Sequence, residues 1–366
     1  MTEDTPLYEM DKDFSEPDPD EIPIKDRKVY TQPYDLVVES IIAQIKNGIV
    51  FLRPLSERPN FQRRYVWTDI LASRLIESIL LNVPIPPCYL SQNDDYEIDV
   101  IDGQQRLYTI YRFIENQFKL SGLEVLTELN KLRFHEMPSK LQRQFKTHTL
   151  RCILITNESH SEIKFDVFQR LNTNTAPLNA QELRNCVMRG SLNDLLKDAA
   201  TYEPWLQILG RSEPDKRMRD EELILRFFAF HINGVDSYRT PQKHWLNETA
   251  KAGRNYSEQK SQELYRTWTN AIDVALNWFE PSECFRRLPL GKSKTINRAL
   301  FDLILHKASA TNPNDARLMR EKIKEIYINL LSGDKEFNDL ISRAVDHTKR
   351  TKRRFEIWTD ATKNIL

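Results

Sequence analysis

The chain has 366 residues, 40% hydrophobic and 29% charged, with 53 basic and 53 acidic side chains and only nine glycines. That length accommodates two ordinary domains or one large one, and so few glycines argue against a glycine-rich all-β fold and for a largely helical chain. No apolar run approaches the ~20 residues that span a bilayer, and the acidic start is neither a signal nor a transit peptide, so a cytoplasmic protein with no membrane partner is expected.

Residues 1–26 hold ten acids and two lysines, a net charge of −8 that the remaining 340 residues balance with +8. Acids, prolines and weak periodicity over 1–28 predict a disordered acidic arm. The run YDLVVESIIAQIKNG predicts a helix capped by Asp35, with Leu36, Ile41, Ile42 and Ile45 on one stripe and Gly48 ending it. IVFLRPL reads as a short strand. Thr68 caps a second helix whose expected apolar face is Ile70, Leu71, Leu75 and Ile79, stopped by Pro84, Pro86 and Pro87. CYLSQ and YEIDVID are strands joined by a turn at Asn93-Asp94-Asp95. LYTIYRFIENQF is a helix with Leu107, Ile110, Phe113 and Ile114 inward. A further helix near PSKLQRQFKT precedes LRCILIT, a buried strand, and from Ser159 onward almost every segment has helical period. The four cysteines, Cys88, Cys152, Cys186 and Cys284, are scattered and read as reduced buried thiols.

Between the second strand and its helix lies Asp102-Gly103-Gln104-Gln105-Arg106. A strand–glycine–helix turn places first-turn N–H groups, with their partial positive charge, where an anion can sit. Glycine permits close backbone approach, and arginine supplies a permanent fork of donors suited to phosphate. Asp102 would hold a metal, orient a water or cap the helix. A capped turn with a surface arginine accounts for the same residues.

The run DGQQRLYTI resembles the signature of the N-terminal domain of GmrSD-type restriction systems, a family similar to the ParB/sulfiredoxin-like fold. FQRRYVW (61–67) is similar to the family's Gln-Arg-x-x-x-Trp motif, with Arg64 where proline is common; FQRLNTNTAPLNAQELR (168–184) resembles its Phe-x-x-x-Asn and Leu-x-x-x-Glu-Leu-Arg segments; RRFEIW resembles its closing Arg-Phe-x-x-Trp. Together these motifs span roughly residues 35–360. The resemblance implies nucleotide binding with hydrolysis in defence against foreign DNA. It implies a phosphate site of Gly103, Gln104, Gln105 and Arg106, faced by Gln62 and Arg63 and approached by Asn172, with Asp102 as the catalytic carboxylate. Glu182 and Arg184 read as a structural pair within one helix. The expected cofactors are a nucleoside triphosphate of unknown base and Mg²⁺, the latter through Asp102. The expected fold is α+β and mainly helical: an acidic arm over 1–28, a ParB/sulfiredoxin-like α+β unit over 29–156, and an all-helical unit over 157–366.

Several chemistries fail on the residues. None of the seven histidines forms a ββα-metal pattern, so the HNH-type nuclease that many relatives carry is not expected here, and cutting would fall to a partner nuclease or effector. PLGKSKT lacks the first Walker glycine because position 286 is arginine. The sulfiredoxin reaction needs a cysteine in the phosphate loop, and Cys88 lies before it, reading as a core thiol. Lys349, Arg350, Lys352, Arg353 and Arg354 form a basic cluster fit to neutralise DNA phosphates; a solvated helix face with Arg354 structural accounts for the same residues. The rival to a nucleoside triphosphatase is a non-catalytic DNA-binding or scaffolding protein with the same fold.

Overall fold

The computed structural model describes residues 7, 28–52, 67–93, 95–159, 167, 179–289 and 295–365, with Cys186 and Val187 described in backbone only. Two compact units result: Ile22–Leu178, and Asn179–Leu366 together with Met1–Glu21. The first is mixed α+β and the second helical, as the sequence predicts.

In the α+β unit the elements run β1 (Thr31–Pro33), β2 (Leu36–Val37), α1 (Val38–Lys46), β3 (Val50–Phe51), α2 (Asp69–Leu80), β4 (Cys88–Gln92), β5 (Ile98–Asp102), α3 (Gln104–Ile114), α4 (Ser139–Thr147), β6 (Thr149–Leu150) and β7 (Cys152–Ile155). Five strands form a mixed sheet in the order β1-β7-β4-β5-β3, and β2 pairs separately with β6. β4 runs parallel to β7 and antiparallel to β5, while β5 runs parallel to β3. β5 thus has a partner on each side and is buried along most of its length, which explains its near-continuous apolar run. Asn93 makes the β4–β5 turn by accepting N–H bonds from Asp95 (2.9 Å) and Glu97 (3.0 Å). Ile41, Ile42 and Ile45 of α1 and Leu107, Ile110 and Phe113 of α3 enter one core, where the Phe113 ring lies 5.5 to 5.6 Å from those of Phe118, Phe134 and Phe145.

Two helices differ from expectation. Asp35 does not cap α1. Its carboxylate accepts from the Cys152 N–H at 3.0 Å, tying the chain to β7, and the N-cap position of α1 is Val37, which offers no side-chain cap. Thr68 does cap α2, accepting from the Leu71 N–H at 3.3 Å. The buried face of α2 is Ala72, Leu75, Ile76, Ile79 and Leu80, while Ile70 and Leu71 stay 52% and 45% exposed. The buried stripe is rotated toward Ala72 and Ile76, which leaves the first turn outside it.

The helical unit contains α5 (Ala180–Val187), α6 (Ser191–Ala200), α7 (Glu203–Leu209), α8 (Arg219–Asn233), α9 (Gln242–Ala252), α10 (Glu258–Trp278), α11 (Arg298–Ser309), α12 (Ala316–Gly333), α13 (Lys335–Leu340) and α14 (Thr348–Thr362). Trp205, Trp268, Trp278 and Trp358 are fully buried. The indoles of Trp268 and Trp278 donate to the carbonyls of Ala199 (3.2 Å) and Ala316 (3.1 Å), so these rings pack rather than present a face for base stacking. Leu7 of the acidic arm is buried in this core and its carbonyl accepts from the Ile296 N–H at 3.2 Å. No helix among the described residues is long and apolar enough to cross a membrane.

Candidate functional site

The Asp102–Arg106 run occupies the turn from β5 into α3. A bulge separates the Leu90–Val100 pair from the Tyr89–Asp102 pair, so β5 spends one extra residue, Ile101, just before the turn. Such a bulge re-aims the strand end, and here it delivers Asp102 to the rim with its side chain 41% exposed. Gly103 follows at φ +96°, ψ 7°, a left-handed conformation that L side chains rarely adopt. A Cβ placed there would collide with the Cys88 sulfur and lie 3.0 Å from the Cys88 Cβ. Glycine is therefore required twice, by conformation and by packing. Gly103 offers no side-chain cap to α3, so the first-turn N–H groups have no cap oxygen from that position.

The Arg106 side chain is 13% exposed and held within the protein through both terminal nitrogens. Nη2 donates to Asp102 Oδ2 at 2.6 Å and to the Pro87 carbonyl at 3.3 Å, and Nη1 donates to the Pro86 carbonyl. The guanidinium thus ties the 84–87 loop to the strand–helix turn. It is not the surface arginine of the simplest reading, and a phosphate would have to draw it away from Asp102. Gln104 folds back on its own strand, Nε2 donating to the Val100 carbonyl at 2.9 Å, and Gln105 is half-buried. Gln62, Arg63 and Asn172 lie outside the described residues.

Sequence reasoning missed two partners of this turn. The Pro86 and Pro87 carbonyls hold Arg106; the signal was the Pro-Ile-Pro-Pro run itself, since prolines give up N–H donors but keep acceptors. Cys88 is the other. It is a core thiol, as expected, but it presses on the glycine of the loop.

The basic cluster sits on α14. Arg350 pairs with Asp339 (2.7 Å), Arg353 with Glu336 (2.8 Å) and Glu356 (3.2 Å), and Lys352 donates to the Asp236 carbonyl at 2.8 Å. Lys349 makes no hydrogen bond or ion pair among the described residues. Arg354 is structural: fully buried, it lies 3.3 Å from Asp302, which Arg226 also grips through two bonds of 2.6 Å. Phe355 and Trp358 are buried beside it, so the closing Arg-Phe-x-x-Trp encodes core packing. Glu182 and Arg184 do not pair with each other, because two residues apart on a helix they face different ways. Glu182 holds Arg217 at 2.9 Å and closes a capping box with Asn179, while Arg184 holds Glu222 at 2.9 Å and Asn247 at 2.8 Å.

Residues 38–188 match the family model described as GmrSD restriction endonuclease, N-terminal domain. The matched stretch contains the Asp102–Arg106 turn and ends at the close of α5, so it does not reach the tail motif. No curated protein and no solved structure matches the chain.

Proposed function

We propose that the chain is a nucleotide-binding, nucleotide-hydrolysing module of a restriction-type DNA-defence system that relies on a separate nuclease or effector for cutting. One observation carries the reading. The Asp-Gly-Gln-Gln-Arg run lies on a left-handed glycine turn at an uncapped helix start, inside the stretch that matches the N-terminal domain of a restriction endonuclease. In this reading phosphates rest on Gly103 and the first-turn amides of α3, where aligned peptide dipoles favour negative charge. Arg106 exchanges Asp102 for a phosphate oxygen and clamps it. Asp102, released, orients the attacking water. Gln62, Arg63 and Asn172 complete the phosphate site. Mg²⁺ carried in with the nucleotide would supply charge neutralisation at the phosphates, and a carboxylate with phosphate oxygens is its usual ligand set. Asp102 is the carboxylate at hand; among the described residues no three His, Cys, Asp or Glu side chains cluster to hold a metal ion unaided. Lys349, Arg350, Lys352 and Arg353 would meet DNA phosphates.

The test is phosphate release from each of the common nucleoside triphosphates, with Mg²⁺, in the presence and absence of DNA. Release from at least one, lost in Asp102→Ala, supports the reading; no release from any of them removes hydrolysis from it. A second reading, a non-catalytic DNA-binding or scaffolding protein, is favoured by the engagement of Arg106 with Asp102, Pro86 and Pro87, which would serve a purely architectural turn equally well.

A further inference from the structure

We propose that Cys88 and Cys152 are a peroxide-sensitive thiol pair whose oxidation to a disulfide alters the Asp102–Arg106 turn. The two residues are direct register partners on the parallel strands β4 and β7. Register partners point to the same face of a sheet, and neighbouring strands lie about 4.7–4.9 Å apart, within the Cα separations a disulfide spans. Both thiols are buried and free. Hydrogen bonding between them holds Cys88 below the ordinary thiol value, against burial and with help from the Arg106 charge; the same bond, with burial, pushes Cys152 up. The Cys88 sulfur and the Arg106 guanidinium both border the position a Gly103 Cβ would take, so Cys88 is the thiol whose anion has a cation at hand; it attacks, and Cys152 is the resolving partner.

The chemistry balances with one peroxide. The Cys88 thiolate attacks a peroxide oxygen; the S–O bond forms, the O–O bond breaks, and the departing hydroxide takes a proton to become water. Cys152 then attacks the sulfenic sulfur of Cys88, the S–S bond forms, the S–O bond breaks and a second water leaves. Two thiols lose two electrons to one hydrogen peroxide. Cys88 is the first residue of β4, at the strand end next to the 84–87 loop, and peroxide reaches it when the Arg106 bonds to the Pro86 and Pro87 carbonyls open. The consequence for the turn is steric. The Cys88 sulfur occupies the space a Gly103 side chain would take, and Arg106 Nη2 lies 3.3 Å from that same position. Closing the pair from hydrogen-bond distance to an S–S bond of about 2.0 Å draws the Cys88 sulfur away from Gly103 and loosens the contact that packs the turn beside Arg106.

The pair is tested on the intact chain, independently of any nucleotide. The native protein is treated with hydrogen peroxide, denatured, alkylated and peptide-mapped, and hydrogen exchange over 102–107 is followed in parallel. The expected result is a reducible Cys88–Cys152 cross-linked peptide, Cys284 still alkylated, and a loss of exchange protection in the turn that dithiothreitol reverses. Cys152→Ser and Cys152→Ala should show neither cross-link nor loss of protection. Full alkylation of both cysteines after peroxide, a cross-link that forms only in denaturant, Cys88 trapped as sulfinic or sulfonic acid, or a cross-link with unchanged exchange would each overturn the proposal.

Discussion

Arg106 and Asp102 carry opposite consequences for binding and for stability. Removing Arg106 strips donors from Asp102 and from the Pro86 and Pro87 carbonyls. Hydrogen bonds of this charged kind contribute about 1.5–3 kcal/mol, so Arg106→Ala should lower unfolding stability by that order in urea melts, besides abolishing triphosphate binding. A melt unchanged from wild type would mean that the side chain is not held as described. Asp102→Asn should behave differently: it removes the charge that competes with phosphate for Arg106, so triphosphate affinity should hold or rise while phosphate release falls. Loss of affinity and release together would assign Asp102 to architecture. A third residue speaks to pH. Burial, with the Asp220 charge beside it, pushes the Glu221 carboxyl far above its ordinary value, and burial also pushes Asp220 up to about 6. For acids whose folded pKa is raised, the stabilising contribution is full below the unfolded value of about 4 and is lost as pH rises through the folded value. The contribution of these two carboxyls should therefore fall as pH rises above about 4, against the opposite trend of His148, His231 and His306, which desolvation holds below the ordinary imidazole value. Glu221→Gln should gain on wild type as pH rises and exceed it at pH 8. Parallel pH profiles for the two proteins would refute the buried, neutral Glu221.

The strand–turn–helix element β5–α3 was largely legible in the sequence, because an apolar run, Asp-Gly and a 3.6-residue period each specify their part. What the turn touches was not legible. Cys88 reaches Gly103 through the pairing of β4 with β5, and sheet register is set by tertiary packing rather than by local pattern. The Asp102–Arg106 ion pair had its signal in the i, i+4 spacing. Asp35 was the natural cap for α1 until β7 came within its reach, and on α2 Leu75 and Ile79 are buried as expected while Ile70 and Leu71 give way to Ala72 and Ile76. Gln62, Arg63 and Asn172 fall outside the described residues. The geometry of the turn makes its own prediction. Gly103→Ala should destabilise the fold through both the left-handed backbone and the collision with sulfur, and Cys88→Ala in the same chain should recover the collision part alone. Additive losses in a double-mutant cycle would show that the two residues do not meet.

At the scale of the whole molecule, charge is separated along the sequence but much of it is answered locally in the fold. Four neutralised basic residues on α14 would remove about 0.9 per phosphate contact from the salt slope of DNA binding if all four touched phosphate. Arg350 and Arg353 already hold carboxylates, so the slope should fall by about half that amount, from Lys349 and Lys352. A loss of about 3.6, from all four contacts, would show that the ion pairs open on DNA, and no loss would remove α14 from the interface. Neutralising the ten acids of residues 1–26 while keeping Leu7, which packs in the helical core, should strengthen and steepen DNA binding if the acidic arm competes for the same surface. All of this is secondary to whether the Asp102–Arg106 turn holds a nucleotide. The most direct measurement is calorimetric titration of the native protein with a panel of nucleoside triphosphates, alongside Arg106→Ala at a temperature where that variant remains folded. Saturable binding of at least one triphosphate by the wild type, absent in Arg106→Ala, is the predicted result; no binding to wild type, or equal affinity in both proteins, would contradict the account.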